Sequence, residues 1–127
     1  MLDHITLTVA DFARSRAFFD AALAPLGVGV VFEVTAEQSG TRRYAGYGEA
    51  GRPYFWIGGG PATGAAHVAF AASSRAEVDA FHAAALAAAG RDNGAPGLRP
   101  HYDPDYYGAF VLDPDGNNIE AVCRRPE

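Results

Sequence analysis

Hydrophobic and polar positions alternate at the start of the chain, and the same alternation returns in its second half. Ile5, Leu7 and Val9 alternate with polar residues, which predicts a strand with one buried face. An offset of 63 (67 minus 4) places His4 over His67, and the same offset aligns Phe18 with Phe81, Leu23 with Leu86 and Gly27 with Gly90. This internal repeat predicts two structural copies related by a pseudo-twofold axis.

The first copy continues as a helix followed by three strands. Asp11 is a candidate N-cap, and apolar residues at helical spacing run up to Gly27, a candidate C-terminal stop. Strands are predicted over 28–34, 42–47 and 53–57, with turn-forming residues between them. The first copy is therefore predicted to be a βαβββ unit.

The second copy repeats this order with one divergent segment. Ser74 and Glu77 form a candidate capping box, and the helix that follows is expected to end at Gly90. The segment 92–100 resembles a loop with at most a weak strand, whereas 106–112 and 118–123 are predicted to form a hairpin. We therefore predict one α+β domain.

The domain divides into two βαβββ modules joined by a glycine-rich connection. Module one spans 1–58, the linker spans 59–64 and module two spans 65–127. The glycines and the single proline of the linker predict a short, flexible segment.

Composition excludes several classes of partner. The 127-residue chain carries a net charge of -5 and no basic cluster, which argues against a nucleic-acid partner. No apolar run approaches the roughly 20 residues that span a bilayer, so no membrane partner is expected. The single cysteine, Cys123, excludes an internal disulfide and favours a cytoplasmic location.

Three segments carry a resemblance to the vicinal oxygen chelate superfamily, which includes glyoxalase I, extradiol dioxygenases, and fosfomycin- and bleomycin-resistance proteins. They are DHITLTVADFARSRAFFDAALAPLG near the start, HVAF at the second module and DPDGNNIEAV near the end. The resemblance implies that each module curls its strands into a curved mixed sheet and that facing modules enclose a cavity. It also implies a homodimer, in which some relatives draw the ligands of one site from two chains.

The resemblance implies a metal site formed by His4, His67 and Glu120. Two imidazoles and one carboxylate with open positions suit non-haem Fe, and also Mn, Zn, Ni or Co. A divalent ion in such a site polarises substrate oxygen atoms as a Lewis acid.

One departure from the family pattern separates the chain from glyoxalase I, which uses a fourth protein ligand on the last strand of its first module. Aligning Gly51 with Gly116 places Phe55 opposite Glu120, and phenylalanine cannot ligate a metal. The three-ligand pattern is closer to that of the dioxygenases and fosfomycin-resistance transferases.

Several further residues are candidates for contact with a substrate. His101, Tyr106 and Tyr107 cluster before the seventh strand and are predicted to orient a substrate or to move a proton. Tyr54 and Trp56 are predicted to line the cavity, and Arg43 to meet an anionic substrate.

Two classes of function agree with these features. The first is a metal-dependent lyase, dioxygenase or transferase that acts on a small oxygen-rich molecule. The second is a metal-free module that sequesters a small aromatic ligand, as bleomycin-resistance proteins do. A third interpretation, a structural metal without catalysis, also stays open. In each case the partners expected are a small molecule and a second copy of the chain.

Overall fold

A computed structural model describes all 127 residues and contains one four-stranded sheet in each half of the chain. The first half consists of β1 (Ile5–Val9), α1 (Phe12–Leu23), a 3-10 turn (Ala24–Leu26), β2 (Gly29–Val34), α2 (Ala36–Ser39), β3 (Tyr44–Glu49) and β4 (Arg52–Gly59). The second half consists of β5 (His67–Ala71), α3 (Arg75–Ala87), β6 (Arg91–Leu98), β7 (Tyr107–Leu112) and β8 (Asn118–Cys123).

The two sheets have the same topology, which confirms the predicted α+β fold of two βαβββ modules. Their strand orders are β1-β4-β3-β2 and β5-β8-β7-β6. In each sheet the first strand pairs in parallel with the last strand of its module, and the other pairs are antiparallel. The first strand therefore lies at one edge of its sheet.

The helix boundaries follow the residues that the sequence indicates, with small differences. Asp11 caps α1 by accepting a hydrogen bond from the Arg14 amide at 3.1 Å. Ser74 caps α3 in the same way, but the Glu77 side chain accepts from the Ser73 amide and not from that of Ser74. The structure also contains the short helix α2, where the sequence pattern indicates only a turn.

Two boundaries between strands and loops differ from the sequence prediction. The predicted loop 92–100 is largely the strand β6, whose pairing with β7 is interrupted on both sides of Gly94. Glycine and proline weaken the strand signal in this segment, and both are tolerated because β6 is an edge strand. Gly59, placed in the linker by composition, is the last residue of β4.

One hydrophobic core joins the two modules. It includes the inward-facing side chains of both sheets, and α1 packs against α3. The rings of Phe55 on β4 and Phe70 on β5 meet edge to face with centroids 5.2 Å apart. The Ala10 amide also donates to the carboxylate of Asp115, across the modules, at 3.2 Å. No helix is both long and apolar enough to cross a membrane.

Gly90 is required for close packing between the modules, although the sequence suggests only a helix stop. A Cβ atom at this position would lie 2.6 Å from Val111 Cγ1 and 2.7 Å from both Phe18 Cε1 and the Ala85 carbonyl. The left-handed backbone turn after α3 is taken by Ala89 instead, with φ of 72°. At the equivalent end of α1, Gly27 itself has φ of 77° and no close neighbour.

We expect Gly90→Ala to lower the free energy of unfolding by about 1–3 kcal/mol, because the new methyl group overpacks this contact. Gly29→Ala is the matched control, since a Cβ atom there meets nothing within 4 Å and its φ is not positive. Urea unfolding of both variants measures the effect. Equal stability of the two variants would contradict the packing role of Gly90.

Candidate metal and substrate site

A buried carboxylate pairs with a half-exposed imidazole on the second sheet. Glu120 lies in the middle of β8, and His67 begins the neighbouring strand β5. Glu120 Oε1 is 2.8 Å from His67 Nε2, and the Glu120 and His67 side chains are 1% and 53% exposed, respectively. A buried carboxylate needs such a partner, because an unpaired charge removed from water is costly. The pair therefore has one side chain set deep in the sheet and one open to solvent.

The second oxygen of this carboxylate is held by a tyrosine that was among the residues predicted from the sequence. The Tyr106 hydroxyl donates a hydrogen bond to Glu120 Oε2. Burial and the neighbouring carboxylate raise the pKa of Tyr106 to about 12, so the phenol stays protonated and remains a donor at neutral pH. With Oε2 occupied, the remaining oxygen of Glu120 is directed toward His67.

Gly108 provides the space in which this contact forms. A Cβ atom at that position would lie 3.1 Å from the Tyr106 ring and 3.3 Å from Glu120 Oε2. Glycine at the second position of β7 therefore lets the tyrosine ring lie against the sheet and reach the carboxylate.

His4 does not join this pair within one chain, although the sequence predicts a triad. Its Nδ1 atom is 2.6 Å from Asp3 Oδ1, and its side chain is 54% exposed. No group of three or more His, Cys, Asp or Glu side chains in the chain is placed to hold a metal ion. A single chain thus brings together two of the three predicted ligands.

The two donors that do meet have a spacing suited to a metal ion. Two ligand atoms about 2.1 Å from one ion and about 90° apart are about 3.0 Å from each other. His67 Nε2 and Glu120 Oε1 lie at a hydrogen-bond distance of 2.8 Å, so a small separation of the two atoms reaches that value. His4 also has a suitable form, because its Nδ1 bond to Asp3 leaves Nε2 free to ligate.

The strand register identifies a different residue of module one as the equivalent of Glu120 from the one that the repeat alignment predicts. Glu120 pairs with Ala69 in the second sheet, and the repeat equivalent of Ala69, Thr6, pairs with Trp56. Phe55 instead points into the core and is 1% exposed. The error arises because the β3–β4 and β7–β8 turns differ in length, so their glycines are not equivalent. Trp56 cannot ligate either, so this position still offers no fourth ligand.

A cavity of about 500 Å³ lies beside His4. Tyr54 and Trp56 line it, and so do Asp3 and Arg52. Arg52 is not among the residues predicted from the sequence, because a bulge in β4 between Pro53 and Phe55, which no sequence pattern indicates, interrupts the alternation of the strand. A second cavity of about 430 Å³ adjoins it and is lined by both modules.

The structure does not bring Arg43 to this cavity. The Arg43 guanidinium lies 4.5 Å from the centroid of the Phe12 ring, at the start of α1. Alternation along β3 puts residue 43 on the same face as Ala45 and Tyr47, which are buried toward the helices.

His101 and Tyr107 lie apart from Glu120 for different reasons. Tyr107 donates a hydrogen bond to Asp79 on α3 at 2.7 Å, because its side chain faces the helix layer and not the open face of the sheet. His101 is exposed, and its ring contacts that of Tyr102, with centroids 4.2 Å apart. Tyr102 in turn contacts Tyr106, so an aromatic row connects His101 to the residue that holds Glu120.

Comparison with known proteins identifies the class to which this fold and site belong. A sequence model of the Glyoxalase/Bleomycin resistance protein/Dioxygenase superfamily matches residues 1–121. The chain therefore belongs to this superfamily of two-module proteins. A search of curated proteins found no significant match.

Solved structures agree with this assignment. A glyoxalase/bleomycin resistance protein from Albidiferax ferrireducens is 34% identical with a TM-score of 0.78, and the match covers 99% of each chain. A mutant form of glyoxalase I from Zea mays is 21% identical with a TM-score of 0.73 over 95% of this chain and 46% of its own. A mutant form of FosX from Listeria monocytogenes, a fosfomycin resistance protein solved with Mn(II), is 19% identical with a TM-score of 0.68 over 96% of this chain and 88% of its own.

We expect Tyr106→Phe to lower the free energy of unfolding of the metal-free protein by about 1.5–3 kcal/mol at neutral pH. The variant leaves the buried Glu120 carboxylate without its hydroxyl donor, and hydrogen bonds to charged groups are worth this much. Tyr102→Phe is the matched control, because Tyr102 is exposed and its hydroxyl makes no hydrogen bond. Chemical denaturation measures both, and similar losses in the two variants would contradict the role of Tyr106.

Proposed function

We propose that the protein is a metal-dependent enzyme that acts on a small oxygen-rich substrate. A divalent ion, Fe, Mn, Zn, Ni or Co, is held by His67 and Glu120 of one chain and by His4 of the partner subunit. The observation that carries the proposal is the convergence of Glu120 Oε1 and His67 Nε2 at 2.8 Å, with the other carboxylate oxygen fixed by Tyr106. This arrangement places one buried and one half-exposed ligand side by side on the second sheet.

The third ligand is His4 of a second copy of the chain. Each chain has a His4 that does not meet its own His67 and Glu120. His4 occupies the place in module one that His67 occupies in module two, and both imidazoles are about half exposed. A twofold dimer that faces module one of one chain with module two of the other forms two identical sites. Every half-site in the pair of chains is then used.

The residues of the chain prepare the site for chemistry. When bound, the ion supplies Lewis-acid stabilisation of negative charge on substrate oxygen atoms. Tyr106 keeps Glu120 Oε1 directed toward His67, and Asp3 orients the His4 ring with its Nε2 atom free. Tyr54 and Trp56 line the cavity next to His4, and their rings exclude water from one side of a bound substrate.

Trp56 at the position equivalent to Glu120 supports a three-ligand site. Three protein ligands leave coordination positions for substrate, as in lyases, dioxygenases and transferases with open metal sites. The absence of a fourth ligand therefore favours an open three-ligand site over the four-ligand site of glyoxalase I.

A metal-free binding function is the second candidate. It is favoured by the cavity of about 500 Å³, which is present in a single chain and which Tyr54 and Trp56 line. In that case ligand affinity is unchanged by chelator treatment.

Mixing two defective variants tests the shared site. His4→Ala and Glu120→Ala each abolish Mn(II) binding, measured by the loss of the free Mn(II) signal in electron paramagnetic resonance. After subunit exchange, the mixture regains about one site in four, because half of the dimers are mixed and each of these has one intact site.

The control mixture combines His67→Ala with Glu120→Ala. Both residues belong to the same half-site, so every site in this mixture lacks one ligand and no binding returns. Recovery in the control, or none in the first mixture, would contradict a site shared in this way. Absence of Mn(II), Zn(II) and Fe(II) binding by the unmodified protein would overturn the metal-dependent function itself.

A further inference from the structure

One cation and two aromatic side chains of β4 border the cavity beside His4. They are Arg52, Tyr54 and Trp56, and all three line the cavity. A bulge in β4 between Pro53 and Phe55, opposite Gly48 and Tyr47, interrupts the alternation of the strand, so the cavity itself is what groups the three side chains. The cavity thus has an apolar aromatic wall with a guanidinium at one end.

Arg52 is left without an acidic partner, whereas the acids near it are engaged. Glu49, across the hairpin, accepts a hydrogen bond from the Tyr54 hydroxyl at 3.3 Å. Asp3 bonds to His4. By contrast, Arg16 contacts both Asp20 and Glu33, so arginines elsewhere in the chain do form ion pairs. The Arg52 guanidinium remains available to a ligand.

The aromatic wall is held in place by its own neighbours. The Trp56 ring contacts Phe32 on β2 with centroids 6.0 Å apart, and its outer ring atoms lie over Gly46 on β3, where any Cβ atom would come within 2.9 Å. Burial and Glu49 raise the pKa of Tyr54 to about 12, so its hydroxyl stays protonated and bound to Glu49 at neutral pH. Both rings are therefore positioned before any ligand enters.

We infer that this cavity binds an aromatic carboxylate, with the ring against Trp56 and Tyr54 and the carboxylate on Arg52. The planar guanidinium matches a carboxylate with two parallel hydrogen bonds, and aromatic rings favour stacked or edge-to-face contacts. The volume of about 500 Å³ is within the range of small-molecule sites. The inference names the substrate class of the proposed enzyme and rests on that function for its catalytic meaning, but the binding itself requires only the cavity.

Trp56 is the only tryptophan of the chain, so its fluorescence reports on this cavity directly. Benzoate should change the emission saturably, and the neutral analogue benzamide should bind about tenfold more weakly, because it lacks the charge that Arg52 recognises. Arg52→Gln should remove this preference for benzoate. Arg91→Gln, an exposed arginine on β6, is the matched control and should retain it.

A lack of any saturable change with benzoate, equal affinities for benzoate and benzamide, or an unchanged preference in Arg52→Gln would overturn the inference. Each titration is run with and without Mn(II), and metal binding is followed in the same samples by electron paramagnetic resonance. Benzoate preference without metal binding would overturn the proposed enzyme and leave the inference standing. Metal binding without benzoate preference would do the reverse.

Discussion

The packing of α1 against α3 determines which face of each sheet is covered and which is left open. The helices and the inward faces of both sheets form one core, and the close contact at Gly90 between Phe18 and Val111 belongs to it. The other face of each sheet is left open. His4 lies with the first open face and the pair of His67 and Glu120 with the second, so the three residues do not meet within one chain.

The buried carboxylate of Glu120 requires partners for both of its oxygen atoms. A charge in the middle of a strand is tolerated because one oxygen meets a tyrosine hydroxyl and the other an imidazole. These same contacts fix the carboxylate, with one oxygen on Tyr106 and the other directed toward the half-exposed imidazole of His67. Tyr106, for which Gly108 leaves room, and His67 at the start of β5 make the burial of Glu120 tolerable and also fix the orientation of its carboxylate.

The sequence predicts the architecture well because the repeat reports on both modules at once. The strand alternation, the caps at Asp11 and Ser74 and the last hairpin are all present in the structure. Strand β6 was predicted only weakly, because its glycines and proline hide an edge strand. The repeat alignment places Phe55 at the position equivalent to Glu120, whereas the strand register places Trp56 there. The difference of one residue arises because the two turns differ in length, which an alignment of their glycines does not show. Arg43 and Tyr107 were expected at the site, yet both side chains face the helix layer.

The separation of His4 from His67 and Glu120 depends on how the modules pack, and no local pattern encodes that. X-ray diffraction from crystals grown with Mn(II), recorded with anomalous scattering, tests the shared site most directly. We expect an anomalous peak about 2.2 Å from His67 Nε2, Glu120 Oε1 and the Nε2 atom of the partner subunit's His4. A peak that joins all three residues of the same chain, or no peak at Glu120, would contradict the shared site.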